Sequence, residues 1–442
     1  MFSKNNLKHI LILALGFFSC SYAYLIETII IKNNTSANFA NTVSVLFGSF
    51  AMVLGLILFI LLYKKTKHIR KFYLLAMLIN LLSVIFFFNI KNSYLMATCL
   101  CLSCGFGVGG FAAGYHFSLV ASNIEKEYQG RIFTFGYALG SLLTYIVTLL
   151  PKYAYNSIFA SITNSVLILL TIFFIFRVEK IKIQEKEKFS KSIKAHIITL
   201  MIIVFSLATL TAVSQCMIGF YTLKDSSSNW FADTRIYYTI GLIISGIIYD
   251  KKKEIFDVIL PISFIYPLLS IVLLKQDISL LIVSGLSYFF LGFFSTFRAL
   301  AFISLGTKKK NLIFVSVLGL TLERFAEGMF VIVEEKIFDN FILLISIEAV
   351  LLAIALGITM LYLLKNNNDK DETDKIKSIS LKNGLSIQEE KVLSLLLQDL
   401  SNQEIADKLF VSVNTVRNHV ANIYKKTGMK KKELREKYYY GK

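Results

Sequence analysis

Stretches of about 20 apolar residues, repeated along the first 364 positions, constrain this chain more than any other feature. A run of that length crosses the hydrocarbon of a bilayer as a helix. Backbone in hydrocarbon must satisfy its own hydrogen bonds, which leaves only helices or closed barrels. The runs fall near 9–31, 41–63, 72–90, 94–122, 131–150, 155–176, 196–222, 234–249, 256–274, 278–300, 311–333 and 340–364. They predict an all-α membrane protein with twelve spans. Composition agrees: 55% of residues are hydrophobic and only 17% are charged, against about a quarter charged in an ordinary soluble domain. The opening "MFSKNNLKHILILALGFFSCSYAYL" has the basic-then-apolar order of a secretory leader. Many more runs follow it, so it reads as the first transmembrane helix.

The breaks between runs alternate in charge. "YKKTKHIRKF", "RVEKIKIQEKEKFSKSIK", "DKKKE" and "GTKKK" follow the second, sixth, eighth and tenth runs; the intervening breaks are nearly bare. Basic loops stay on the cytoplasmic side. Both termini are therefore expected in the cytoplasm, with the chain in the inner membrane. These loops account for much of the net charge of +18.

The long sixth break divides the runs into two halves of similar length, a common transporter plan. "GIIYDKKKE" places Gly246, Asp250, Lys251 and Lys253 in one such break, and the equivalent break after the second run lacks the Asp. In its layout and in this element the region resembles the major facilitator superfamily. The resemblance implies a twelve-helix, major-facilitator-like bundle.

Ionisable residues inside spans are costly and mark pathways or helix-locking pairs. The eleventh run holds Glu323, Arg324 and Glu327. Glu323 and Glu327 share a helix face, and Arg324 stands three residues before Glu327. His116 lies in the fourth run and Glu348 in the last. These five are the candidate residues for a small-molecule or ion ligand; a purely structural pairing is the competing reading. Cys101 and Cys104 form a CxxC without a second pair or a His cluster, which reads as buried thiols. "CGFGVGGFAAGYH", 104–116, offers either close helix packing or a flexible gate.

After Leu364 the chain turns polar. Residues 365–382 read as a flexible linker between a transmembrane domain, 1–364, and a small helical domain, 383–442. Ser386 with Glu389, and Ser401 with Glu404, have capping-box spacing. Val392, Leu393, Leu396 and Leu397 face inward from the first helix, and Ile405, Ala406 and Leu409 from the second. Phe410 and Val411 are expected to fill the turn. Ser412 caps the third helix and Gly428 stops it, with Val416, Val420 and Ile423 as its buried stripe. This is a helix-turn-helix pattern. Arg417, Asn418, Ala421 and Lys425 fall on the outward face. Arg and Asn side chains suit guanine and adenine edges, and Lys425, Lys426 and Lys430–Lys432 suit phosphates.

The intact Ser401-Asn402-x-Glu404-Ile405-Ala406 and the series Ser412, Thr415, Val416, Arg417 and His419 resemble the LuxR-type DNA-binding domain of bacterial transcription regulators. The resemblance implies a four-helix domain that binds double-stranded DNA. Thr415, Arg417, Asn418, Ala421 and Lys425 would lie at the contact, and the fourth helix would support a homodimer. The whole chain resembles bacterial fusions of a major-facilitator-like region to this tail. It is expected to be a membrane-embedded one-component regulator; a secondary transporter with a regulatory tail and a DNA anchor without a signal are the other readings. No nucleophile elbow, phosphate loop or metal motif stands in the sequence, so no catalytic residue, metal or cofactor is expected.

Overall fold

A computed structural model describes residues 3–34, 37–66, 71, 74–81, 94–121, 128–149, 157–176, 191–224, 230–276, 278–308, 310–337, 340–398 and 400–434. The chain divides into two compact units, Met1–Thr359 and Met360–Lys442.

In the first unit the helices are α1 (Lys4–Asn34), α2 (Ala37–Thr66), α3 (described at 74–81), α4 (Tyr94–Ala121), α5 (Gln129–Thr148) and α6 (Ser157–Phe176). A second set follows: α7 (Lys191–Lys224), α8 (Trp230–Lys251), α9 (Lys253–Lys275), α10 (Leu280–Lys308), α11 (Leu318–Ile337) and α12 (Phe341–Lys382), whose residues from Met360 on belong to the second unit. All twelve apolar runs are thus helical where described. The break at 177–190 and the second part of the third run lie outside the described residues. Among the described residues, six helices contain stretches long and apolar enough to cross a membrane, including Ala97–Val120 and Leu280–Gly306. The helices α5, α8 and α11 are not among these six. They carry more Gly, Ser, Thr and charged residues, which their positions inside the bundle accommodate.

Small residues set the packing. Helices in lipid gain little from burying apolar surface against one another, so close backbone approach supplies the contact. In α4, a Cβ at Gly105 would run into the Gly48 carbonyl, and one at Gly109 into the Met52 carbonyl. Both partners lie on α2. The glycine-rich stretch therefore serves close packing. The second half repeats the device, with Gly241 of α8 against the Phe289 carbonyl of α10.

The halves meet where α5 packs on α8 and α2 on α11. Asp250, at the end of α8, clasps the start of α5. Its Oδ1 accepts the Gly130 N–H at 2.8 Å, and its Oδ2 accepts the Arg131 N–H at 2.8 Å and Nε–H at 3.0 Å. A carboxylate suits a helix N-terminus, where amide donors are unpaired and the helix dipole is positive. Gly246, one turn earlier, lies against the Thr134 side chain and leaves no room for a Cβ.

Three sequence expectations change. Residues 365–382 are helical and continue α12 to Lys382, where a flexible linker was expected. The pair Ile376 and Ile379, three apart on one face, packs into the core of the second unit. Gly384, at φ 62°, then closes the helix, with the Leu385 N–H on the Ser380 carbonyl at 2.9 Å. The eleventh run opens as a 3-10 segment, Lys310–Val317, before α11 begins. Finally, α10 runs on to Lys308, which sets Arg298 well inside a helix.

The clasp yields a prediction. Replacing Asp250 with Ala removes three charge-assisted hydrogen bonds and should cost roughly 1–3 kcal/mol, discounted because Arg131 is partly exposed. Thermal unfolding in detergent should show the loss. Adding Arg131→Ala to Asp250→Ala should cost less than Arg131→Ala does alone.

Candidate nucleic-acid interface and buried polar network

The second unit folds around α13 (Ile387–Leu397), α14 (Asn402–Leu409) and α15 (Val413–Thr427). Each starts at a serine. Ser386 and Ser401 form complete capping boxes with Glu389 and Glu404, and the Ser412 Oγ accepts the Thr415 N–H at 3.1 Å. These caps satisfy amides that a short helix cannot satisfy internally. The inward residues read from the sequence form one core: Val392, Leu393, Leu396, Leu397, Ile405, Ala406, Val416, Val420 and Ile423. A fourth helical stretch is described at 431–434, where Leu434 is buried in the same core.

The outward face of α15 is as expected. Arg417, Asn418, Ala421 and Lys425 are exposed, and Thr415 is half-buried with its hydroxyl 2.8 Å from the Ser412 Oγ. Asn414, one turn before Arg417, and Asn422, one turn after Asn418, are exposed on the same face. No acidic residue occurs in α15.

Two assignments in this unit are corrected. Lys426 is exposed, but its Nζ is engaged within the domain where a phosphate contact was expected. Its Nζ lies 2.6 Å from Glu389 Oε2 and 3.2 Å from the Gly384 carbonyl, tying α15 to the start of α13. Phe410 does not fill the turn. It is 95% exposed, with φ 54° and ψ 46° at the end of α14.

Glu389 is buried yet well supplied. The Lys426 hydrogen bond, followed by the Ser386 N–H, holds its carboxyl below the ordinary carboxylate range. A group depressed in this way stabilises the fold above its unfolded value, near about 4.3, and the contribution is lost as pH falls through the folded value. Residues 360–442 alone should therefore melt at lower temperature as the medium is acidified below about pH 4. Glu389→Gln should lower the melting temperature at neutral pH and flatten that acid limb. An acid limb as steep as in the unsubstituted protein would assign the effect to another carboxylate.

In the first unit, Glu323, Arg324 and Glu327 do meet. Arg324 Nη1 lies 2.5 Å from Glu327 Oε2, and its Nη2 lies 3.2 Å from Glu323 Oε2. Ser49 of α2 adds a hydrogen bond to Glu327. The sequence reading missed a member: Arg298 of α10, buried, with its Nε 2.9 Å from Glu323 Oε2. It stands two residues before the expected end of the tenth run, and α10 continues past it to Lys308. Tyr238 of α8 bonds Ser295 at 2.9 Å, and its ring stands edge-on to Tyr137 of α5 at 5.9 Å. Phe325 contacts Phe50 and Phe205. The network thus has two guanidiniums, two carboxylates and an aromatic surround.

The remaining candidates stand apart from these ion pairs. His116 of α4 is buried, with its Nδ1 2.7 Å from the Ser316 carbonyl and its ring edge-on to Phe133. Glu348 is buried on α12, and neither carboxyl oxygen has a hydrogen-bond partner among the described residues. A small cleft between α7, α9 and α10 is lined by Thr211, Gln215, Ser263 and Ser287; its volume of about 10 Å³ holds one water at most. Cys20, Cys101 and Cys104 are buried; the Asn80 amide donates to Cys20 Sγ at 3.7 Å, and Cys104 Sγ donates to Asn80 Oδ1 at 3.9 Å.

Comparison with known proteins follows the same division. Residues 383–434 match the family described as bacterial regulatory proteins, luxR family. The spore germination protein GerE of Bacillus subtilis is 45% identical over 56 residues, 13% of this chain and 76% of that protein. The DNA-binding transcriptional activator DevR/DosR of Mycobacterium tuberculosis is 41% identical over 49 residues, 11% of this chain and 23% of that protein. Among solved structures, the E. coli fucose:proton symporter superposes with a TM-score of 0.60 at 13% identity, covering 81% of this chain and 99% of that one. The human organic anion transporter TETRAN gives 0.63 at 12% identity, covering 81% and 100%. The chain is therefore a multi-pass, major-facilitator-like bundle fused to a LuxR-type helix-turn-helix domain.

Proposed function

Because the chain belongs to the luxR family of bacterial regulatory proteins through its tail, we propose that the whole protein is a membrane-embedded, one-component transcription regulator. Residues 1–364 form the sensor, 365–382 the connection, and 383–442 the reader of double-stranded DNA. The observation that carries this reading is α15. One stripe of it is buried in the domain core, and the opposite stripe presents Arg417, Asn418, Ala421 and Lys425 to solvent. Arg417 and Asn418 read base edges in the major groove, while Thr415 and Lys425 position the phosphates. A pair of tails on one operator gives the homodimer. The tail lies in the cytoplasm and the bundle in the inner membrane, as the basic loops imply.

The sensing element is the Glu323–Arg324–Glu327 group, with Arg298 as its buried partner. His116 and Glu348, which stand apart from these ion pairs, are further candidate polar groups of residues 1–364. A small molecule or ion that competes for one member of a compensated network shifts the bundle between states, provided that it binds the two states with different affinity. The same helix, α12, supplies Leu344 to the bundle core and Ile376 to the core of the tail.

Genome-wide mapping of bound DNA, with and without candidate solutes, tests the reading. Arg417→Ala should weaken specific sites by roughly 1–3 kcal/mol and relax base preference; an unchanged footprint would refute the placement of α15 in the groove. Glu327→Gln should shift the midpoint of transcription output against solute concentration, normalised to membrane protein level. An unchanged midpoint and maximum would make the network structural. A second reading, a secondary transporter with a regulatory tail, is favoured by the bundle's likeness to two transporters. Vectorial flux of a solute into vesicles would support it.

A further inference from the structure

Phe410 combines two features that are each costly. Its side chain is 95% exposed. Its backbone is left-handed, and it is the only non-glycine residue with positive φ among the described residues. That conformation crowds a Cβ against its own carbonyl. The other two left-handed positions, Gly384 and Gly428, hold glycine, which escapes the crowding. Both are helix ends, as Phe410 is. Glycine or asparagine would close α14 equally well. A strained and solvated aromatic ring at such a place points to a contact outside the chain.

The position of the ring says what kind of contact. Phe410 and Val411 form the turn between α14 and α15, directly before Ser412, the cap of α15. The first turns of α15 carry the exposed Asn414, Arg417 and Asn418. The exposed residues nearest Phe410 in the sequence are Asp407, Lys408, Val411 and Ser412, followed by Asn414 and Arg417 in the first turns of α15; they are mostly polar or cationic, and Val411 is the one exposed apolar neighbour in the turn. Such a setting is poor for an apolar protein partner and suits a polyanion. Within the major groove, thymine alone presents a methyl group, and a phenyl ring is among the side chains that pack on it.

We propose that Phe410 is a specificity-determining residue of the DNA interface, its ring packing on the 5-methyl group of a thymine at the edge of the site that α15 reads. This rests on the DNA-reading function proposed above. The contact supplies the burial that the free domain denies the ring. It makes the strained turn an extension of the recognition helix, with an apolar reading element beside the polar ones.

The test uses the full chain in detergent micelles and a random-sequence duplex library. Binding sites are selected in parallel with the unsubstituted protein, Phe410→Asn and Phe410→Gly. Both substitutions favour the left-handed backbone, so both variants should melt at or above the unsubstituted protein. The expected result is a shared motif in which one flanking thymine is fixed for the unsubstituted protein and free for both variants. Deoxyuridine at that position removes only the methyl group. It should weaken the unsubstituted protein about fourfold and leave the variants unaffected. Identical motifs and affinities for all three proteins would overturn the proposal, as would a deoxyuridine effect equal in all three. So would a lower melting temperature in both variants, which would place the ring in the fold. If the unsubstituted protein enriches no sequence, the DNA-reading function itself fails and this proposal with it.

Discussion

A guanidinium inside a bilayer has to find its counter-charge within the helix bundle. Arg298 and Arg324 do so on Glu323, which lies between them, and Arg324 reaches Glu327 as well. The four groups carry two positive and two negative charges. None can be withdrawn without leaving a neighbour exposed to a poorly polarisable interior, where an unpaired charge is strongly unfavourable. The pairs span α10 and α11, and the Ser49 hydrogen bond brings in α2 from the other half. The same interdependence holds these helices together.

The two units meet the requirements of helix ends and helix contacts differently. In the bundle, contacts depend on small residues. Gly105 and Gly109 let α4 approach the backbone of α2, and Asp250 serves the start of α5 from another helix. In the tail, short helices are closed by their own neighbours. Serine caps begin α13, α14 and α15, and Gly384 and Gly428 end α12 and α15. The tail's caps are local in sequence, whereas the bundle's clasp joins residues over a hundred positions apart. Glu389 stands between the two modes. It is a local capping-box member and also the distant partner of Lys426.

What the sequence determined by itself is whatever depends on periodicity and short-range chemistry. Run length determined the helices of the bundle, and the alternation of charged breaks determined the expected orientation. The spacing of Val416, Val420 and Ile423 fixed the buried stripe of α15, and with it the exposure of Arg417, Asn418, Ala421 and Lys425. The Arg324–Glu327 pair was also legible, because three residues on a helix bring two side chains together.

Tertiary structure decided the rest, for reasons of distance and context. Arg298 became a buried partner of Glu323 only when α10 proved long enough to hold it inside the bundle. Residues 365–382 look like a linker because their apolar content is slight, yet two isoleucines suffice once the tail's core is there to receive them. Lys426 has the composition of a phosphate contact, but a buried carboxylate on another helix claims it. Phe410 has the composition of a core residue, but the left-handed turn at the end of α14 directs it into solvent. In each case the side chain's chemistry was readable, and its partner lay too far along the chain for any local pattern to name.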